Sequence, residues 1–243
     1  MNYFIGSLYG NYNGYKKVKE ELKLKNTDTL WILGDVMDSL HYEPDDCVHI
    51  MQDIQESENI HLIIGDHEFA HVMRYINLSD DDGYEAWVKV LNSMDPPGED
   101  MIAYFEDADN DVEDDILISL INDCEISQFI QIGDNYFYLT HGFPQIQGED
   151  LTEWQLKTTT GEISENYLDA IKTDKDIPED ILPKLTYKNC FVVCAHQIIN
   201  PMVTSDHVYH KNGVFLVGPS IPEQSIPVLA IDAAGYFYKE VKL

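Results

Sequence analysis

The chain is short of positive charge: of its 243 residues 15 are lysine or arginine against 44 aspartates and glutamates, a formal net charge of -29. A single arginine, Arg74, is present. A field of that sign repels polyanions, which argues against nucleic acid and anionic membrane surfaces as partners. It also opposes any phosphorylated substrate unless a metal ion cancels the charge locally. Cysteine is scarce too. Cys47, Cys124, Cys190 and Cys194 form no paired framework and read as reduced, buried thiols of a cytoplasmic protein. No apolar run approaches the length of a membrane span, and Met1-Asn2-Tyr3 opens no basic, cleavable leader, so a membrane-bound or secreted protein is not expected. The sequence has no Ser/Gly-rich linker, no repeat and no obvious domain boundary.

What is present is a globular composition, 44% hydrophobic and 11% aromatic, long enough to bury a core. Apolar strand-like runs alternate with helical stretches, the pattern of α/β layers. Strands are expected over residues 2–5, 30–33, 60–64, 136–140, 191–194 and 214–217, with a closing hairpin from 228–231 and 236–241. A lysine-rich amphipathic helix is expected over 15–24, and a second, capped by Asp45 or Asp46, through Ile54. Residues 68–124 read as mainly helical, their acid runs forming a solvated face.

One regularity carries chemistry. Four of the apolar strands end in a potential metal ligand: Asp35 after Gly34, Asp66 with His67 after Gly65, His141 before Gly142, and His196 after Ala195. In open α/β sheets the carboxyl ends of the strands line the binding crevice, so such residues can converge from distant parts of a chain. Singly, each aspartate is an ordinary turn residue and each histidine an ordinary core one. As an ordered set, two carboxylates and two imidazoles suit Zn, Mn or Fe better than Ca.

The order Gly34-Asp35-Val36-Met37-Asp38, Gly65-Asp66-His67-Glu68, His141-Gly142, Ala195-His196 resembles the GDxxD, GNHE, HG and GH blocks of the calcineurin-like metallophosphoesterases. The likeness is to the branch containing serine/threonine protein phosphatases and diadenosine tetraphosphatases, and Gly6-Ser7-Leu8-Tyr9-Gly10 is similar to that family's opening GDxHG. The resemblance implies one domain over residues 1–243. It would be a layered β-sandwich flanked by helices, with a mainly helical, acidic, cap-like insertion at about 69–125. It further implies two metals that activate water for attack on phosphorus. Asp35 would bridge them, and Asp66, His141 and His196 would complete the second metal's shell. His67, oriented by Asp38, would be the general acid at the leaving oxygen.

The departures are as informative. Ser7 and Tyr9 stand where the family has the Asp and His of its first metal, and neither a neutral hydroxyl nor a phenol of ordinary pKa (about 10) replaces them. Gln197 and Ile198 follow His196 where a further histidine is expected, so one metal is lost and one, Mn, Fe or Zn, retained. Asp66 replaces an asparagine; Ser39 and Leu40 replace an arginine and a glycine; Arg74 cannot form a two-arginine phosphate clamp alone. The expected function is therefore weak hydrolysis of a phosphoester or pyrophosphate bond at one metal. The alternative is an inactive pseudo-phosphatase that binds a phosphorylated small molecule or phosphoprotein. If Tyr9 points into the vacated metal position it fills it and can reach Asp35. Asp206, His207 and His210 form a polar cluster that repairs the lost site only by migrating to it. Residues 107–111 resemble a calcium loop but lack its glycine (Val112) and closing glutamate (Ile118).

Overall fold

The computed structural model describes residues 1–39, 41–79, 98–107, 110–143, 190–196, 208–211, 213–220 and 224–243. Two five-stranded sheets form the centre. The first contains β1 (Asn2–Ile5), β2 (Thr29–Ile32) and β3 (Ile60–Leu62), with β9 (Ser225–Asp232) and β10 (Gly235–Lys242), in the order β10-β9-β1-β2-β3. In it β1, β2 and β3 run parallel, while β9 is antiparallel to both β1 and β10. The second sheet contains β4 (Ser127–Ile132), β5 (Asn135–Thr140), β6 (Cys190–Cys194), β7 (Val208–Lys211) and β8 (Val214–Val217), ordered β4-β5-β6-β8-β7. Here β5, β6 and β8 are parallel, and the edge strands β4 and β7 are antiparallel to their neighbours.

Side-chain alternation builds the layers. Phe4, Leu33, Ile63 and Leu229 of the first sheet meet Phe137, Leu139, Val193 and Phe215 of the second in one buried cluster. Their neighbours Ile5, Leu30, Ile32 and Leu62 face the other way, into a cluster with helical Val18, Val48, Met51, Phe105 and Leu120. Each fully buried side chain of this size contributes about 1.5–3 kcal/mol, so Phe4, with no exposed surface, is a position where truncation to alanine costs about 3–5 kcal/mol. The helices α1 (Tyr12–Leu22), α2 (Pro44–Gln55), α3 (Asp66–Ser79), α4 (Glu99–Asp107) and α5 (Asn110–Asp123) supply the outer layer. This is the α/β layered β-sandwich with a helical insertion that the sequence implied. Positions 80–97 of that insertion lie outside the described residues.

Several boundaries differ from expectation, each for a local reason. α1 begins at Tyr12 rather than Tyr15, because the Asn11 side chain accepts the Gly14 amide at 2.9 Å and caps the helix earlier. α2 is capped by neither Asp45 nor Asp46: it starts at Pro44, and both acids sit in its first turn, where they oppose the positive end of the helix dipole. The edge strands β4 and β7 were not expected. The final hairpin is longer than expected, pairing Ser225 with Lys242 at its far end. Among the described residues no helix is long and apolar enough to cross a membrane.

Candidate metal centre

The carboxyl ends of β2, β3, β5 and β6 open toward one another, and two glycines set how closely their loops approach. Gly34 has φ +85°, and a Cβ there would lie 2.3 Å from His141 Nδ1 and 2.6 Å from Gly65 Cα. A Cβ on Gly65 would lie 2.3 Å from Asp35 Oδ1. Any side chain at either position would drive the loops apart. Asp35 itself is left-handed, with φ 53°, and turns its buried carboxylate back over the sheet ends.

Glu68 holds the two loops together. Its carboxylate is buried and accepts four amides: Gly65 at 2.9 Å and Asp35 at 2.8 Å on Oε2, Val36 at 2.7 Å and Met37 at 2.9 Å on Oε1. Burial and the neighbouring Asp35 charge push its pKa up, while the amides of Met37 and Gly65 pull it down; the net direction is upward.

Asp35, Asp66, His141 and His196 each offer one ligand atom, and the four atoms all lie within 4.8 Å of one another. His141 Nε2 is 3.2 Å from Asp35 Oδ2, 3.0 Å from Asp66 Oδ1 and 3.0 Å from His196 Nδ1, and Asp66 Oδ1 is 3.3 Å from His196 Nδ1. The other ring nitrogen of His141, Nδ1, lies 2.6 Å from the Leu33 carbonyl, which only accepts. Nδ1 therefore carries the proton of the neutral ring, and Nε2 presents its lone pair to the cluster. Lone pairs so gathered require a positive charge. Burial alone would lower the His141 pKa, but Asp35 and Asp66 raise it well above the ordinary value, and the two histidines hold Asp66 well below the carboxylate range. The contacts of 3.0–3.3 Å resemble the separations of about 3.0–3.4 Å between ligand atoms roughly 2.1 Å from one ion. The residues fit one divalent cation.

Asp35 Oδ2, the oxygen that faces His141, also takes two hydroxyl donors. Ser7 Oγ donates to Asp35 Oδ2 at 3.2 Å and Tyr9 OH donates to the same oxygen at 3.0 Å. Burial first, and the Asp35 charge second, raise the Tyr9 pKa far above that of a free phenol, so it stays a proton donor. Tyr9 has φ 47°, a strained value for a residue with a side chain, and its ring meets His67 edge-on at 5.7 Å.

His67 and Asp38 are paired, with Nδ1 3.0 Å from Asp38 Oδ2. Burial would lower the His67 pKa, but the Asp38 bond and the charges of Asp35, Asp66 and Glu68 raise it to about 9. The second oxygen of Asp38 meets His71 Nε2 at 2.7 Å, and the Gly98 amide also donates to this carboxylate. Burial alone would raise the Asp38 pKa, yet these donors hold it well below the carboxylate range. A cavity of about 550 Å³ opens beside this pair, lined in part by Tyr9, Asp38 and His67.

Other sequence candidates fall elsewhere. Arg74 donates to Glu113 at 2.9 Å and Glu106 at 3.1 Å, so it belongs to the acidic helices and not to the site. His210 stacks on Phe215 and lies 3.0 Å from Tyr236 OH, away from the cluster, while Asp206 and His207 lie outside the described residues. The thiols of Cys190 and Cys194 donate to backbone carbonyls rather than pairing on a metal. Most of the calcium-like stretch belongs to the ends of α4 and α5, its positions 108–109 lying outside the described residues, as do Leu40, Gln197 and Ile198. Two contributors escaped the sequence reading. His71 follows His67 at helical spacing, a signal that was available. The four-amide role of Glu68 has no sequence signal beyond its place in the motif.

No family model matches the chain, and no curated protein matches it. Its fold is similar to that of solved structures. A protein serine/threonine phosphatase from Saccharomyces cerevisiae with similarity to human phosphatase PP5 aligns with a TM-score of 0.57 at 10% identity, covering 100% of this chain and 79% of that one. A hypothetical protein from Pyrococcus horikoshii OT3 gives 0.53 at 15% identity, over 100% and 88% of the two chains. A metallophosphoesterase from Sphaerobacter thermophilus gives 0.52 at 14%, over 99% and 87%. The chain has the metallophosphoesterase-type layered fold of these structures, and among the described residues one cluster of Asp and His side chains is able to hold a single divalent metal.

Proposed function

We propose that the protein hydrolyses a phosphoester or pyrophosphate bond, slowly, at one divalent metal held by Asp35, Asp66, His141 and His196. The observation that carries this reading is the convergence of those four ligand atoms beside an intact His67–Asp38 pair. When bound, the ion, which we take to be Mn, Fe or Zn, supplies Lewis-acid neutralisation of the phosphoryl charge. Water adds its oxygen to phosphorus and gives up a proton to solvent as the P–O bond to the leaving group breaks, and the leaving oxygen needs a proton. Protonated His67 is placed to donate it, with Asp38 fixing the ring through Nδ1 so that Nε2 is the donating atom. Phosphoryl transfer rests chiefly on positioning and charge neutralisation, so a missing second metal and missing arginine clamp make the rate low.

A second reading is favoured by one observation. The Tyr9 phenol seated on Asp35 leaves a packed arrangement where a second metal would bind, as in a protein that binds a phosphorylated small molecule or phosphoprotein without turnover. Elemental analysis of metal-loaded protein, combined with an aryl phosphate assay in added Mn, separates the two. One metal per chain with turnover abolished by His67→Ala supports the hydrolase. One metal with no turnover of phosphomonoesters, diesters or dinucleoside polyphosphates supports the binder.

A further inference from the structure

The cavity beside His67 has a charge pattern that hydrolysis alone does not require. Among the described residues no lysine or arginine lines it. Its buried lining is mostly apolar, with Leu8, Cys47 and Met101 beside Ser220, and its exposed part carries His41 and two carboxylates, Glu99 and Asp100, at the start of α4. Tyr42 adds a second aromatic ring to that of Tyr9. The N-terminus of α4 contributes about +0.5 charge, which two full negative charges outweigh. Asp38 and His67 are paired with each other and add little net charge. A leaving group bearing further phosphates is therefore repelled here. An ammonium is attracted, both by the carboxylates and by the ring faces, which bind cations through their quadrupoles.

We propose that this cavity binds the alcohol half of a phosphoester in which that alcohol carries an ammonium group. The proposal rests on the hydrolase reading for the direction of the phosphoryl end, toward His67, but binding itself requires no turnover. Glu99 and Asp100 lie outside the metal cluster and the His67–Asp38 pair, so their charges can be removed with every residue of both left in place.

Calorimetric titration of the full chain with phosphocholine and with its uncharged carbon isostere, 3,3-dimethylbutyl phosphate, tests this. Phosphocholine is expected to bind about tenfold more tightly. The preference should fall to near parity in the double variant Glu99→Gln/Asp100→Asn, and partway in Tyr42→Leu, whose folding is checked by circular dichroism. Equal or tighter binding of the isostere, no binding of either, or a preference that survives in the folded double variant would overturn the proposal. Retained preference with no hydrolysis of either ester or of aryl phosphate overturns the hydrolase reading and leaves the cavity assignment standing. Aryl phosphate turnover without an ammonium preference does the reverse.

Discussion

Asp35 meets two sets of neighbours: Asp66, His141 and His196 present lone pairs to a common point with it, whereas Ser7 and Tyr9 present hydroxyl hydrogens to the same Oδ2 that faces His141. The first set is complete only with a cation, whether protons on the imidazoles or a metal ion. The second set needs no cation to hold its hydroxyls, although Asp35 Oδ1 stays buried with no hydrogen-bond partner among the described residues. The Asp35 carboxylate has part of its charge met by hydroxyl donors, and burial, with the Asp35 charge, keeps the Tyr9 donor protonated. Hydroxyl donors at positions 7 and 9 thus give a buried carboxylate ordinary hydrogen bonding where an aspartate or histidine would call for a shared ion.

The change that breaks both halves at once is Glu68→Ala. It strips the shared acceptor from four amides, those of Gly65, Asp35, Val36 and Met37. Each buried unsatisfied donor costs about 1–3 kcal/mol, so the total rivals a whole domain stability of about 5–15 kcal/mol. The variant is expected to lose cooperative thermal unfolding followed by circular dichroism. Next in size, His141→Ala breaks the cation-demanding half alone. Metal affinity measured by competition with a chelating dye should fall more than about 100-fold, since removing a ligand exceeds the effect of disturbing its partners. A variant that keeps wild-type affinity would remove His141 from the shell.

The double variant Ser7→Asp/Tyr9→His sharpens the comparison from the other direction, replacing donors by ligands in the hydroxyl set. Elemental analysis should rise from one metal per chain toward two, the sites sharing Asp35. If the count stays at one, more than these two residues separates the halves, and the stretch after His196 becomes the place to look.

How far all this could be read from sequence follows the same division. The ligands were legible because each stands at the end of an apolar strand, two of them directly after a glycine, and strand ends have a fixed place in a parallel sheet. Tyr9 was legible as a misfit at a known position. Glu68 was not, because its four partners come from two loops whose approach is set by Gly34 and Gly65, a tertiary fact no spacing encodes. β4 was missed because Ser127–Ile132 is a half-exposed edge strand with little apolar contrast, and β7 because Val208–Lys211, also an edge strand, buries only Val208. The start of α1 was readable from Asn11 as a cap, and that of α2 from Pro44.

The smallest change tests whether the hydroxyl set is held by the hydrogen bond or by packing. Tyr9→Phe keeps the ring against His67 and removes one of the two hydroxyl donors on Asp35 Oδ2, leaving Ser7 and His141. A hydrogen bond to a charged group contributes about 1.5–3 kcal/mol when buried, and partial exposure places this one at the lower end, about 1–2 kcal/mol. For a chain of this length that is a fall of roughly 2–8 °C in Tm. The metal count should stay at one, because phenylalanine supplies no ligand. An unchanged Tm would assign the tyrosine's work to its ring, with the phenol dispensable. A second metal bound by Tyr9→Phe would mean that the hydroxyl, and not the absence of an imidazole, had been excluding it.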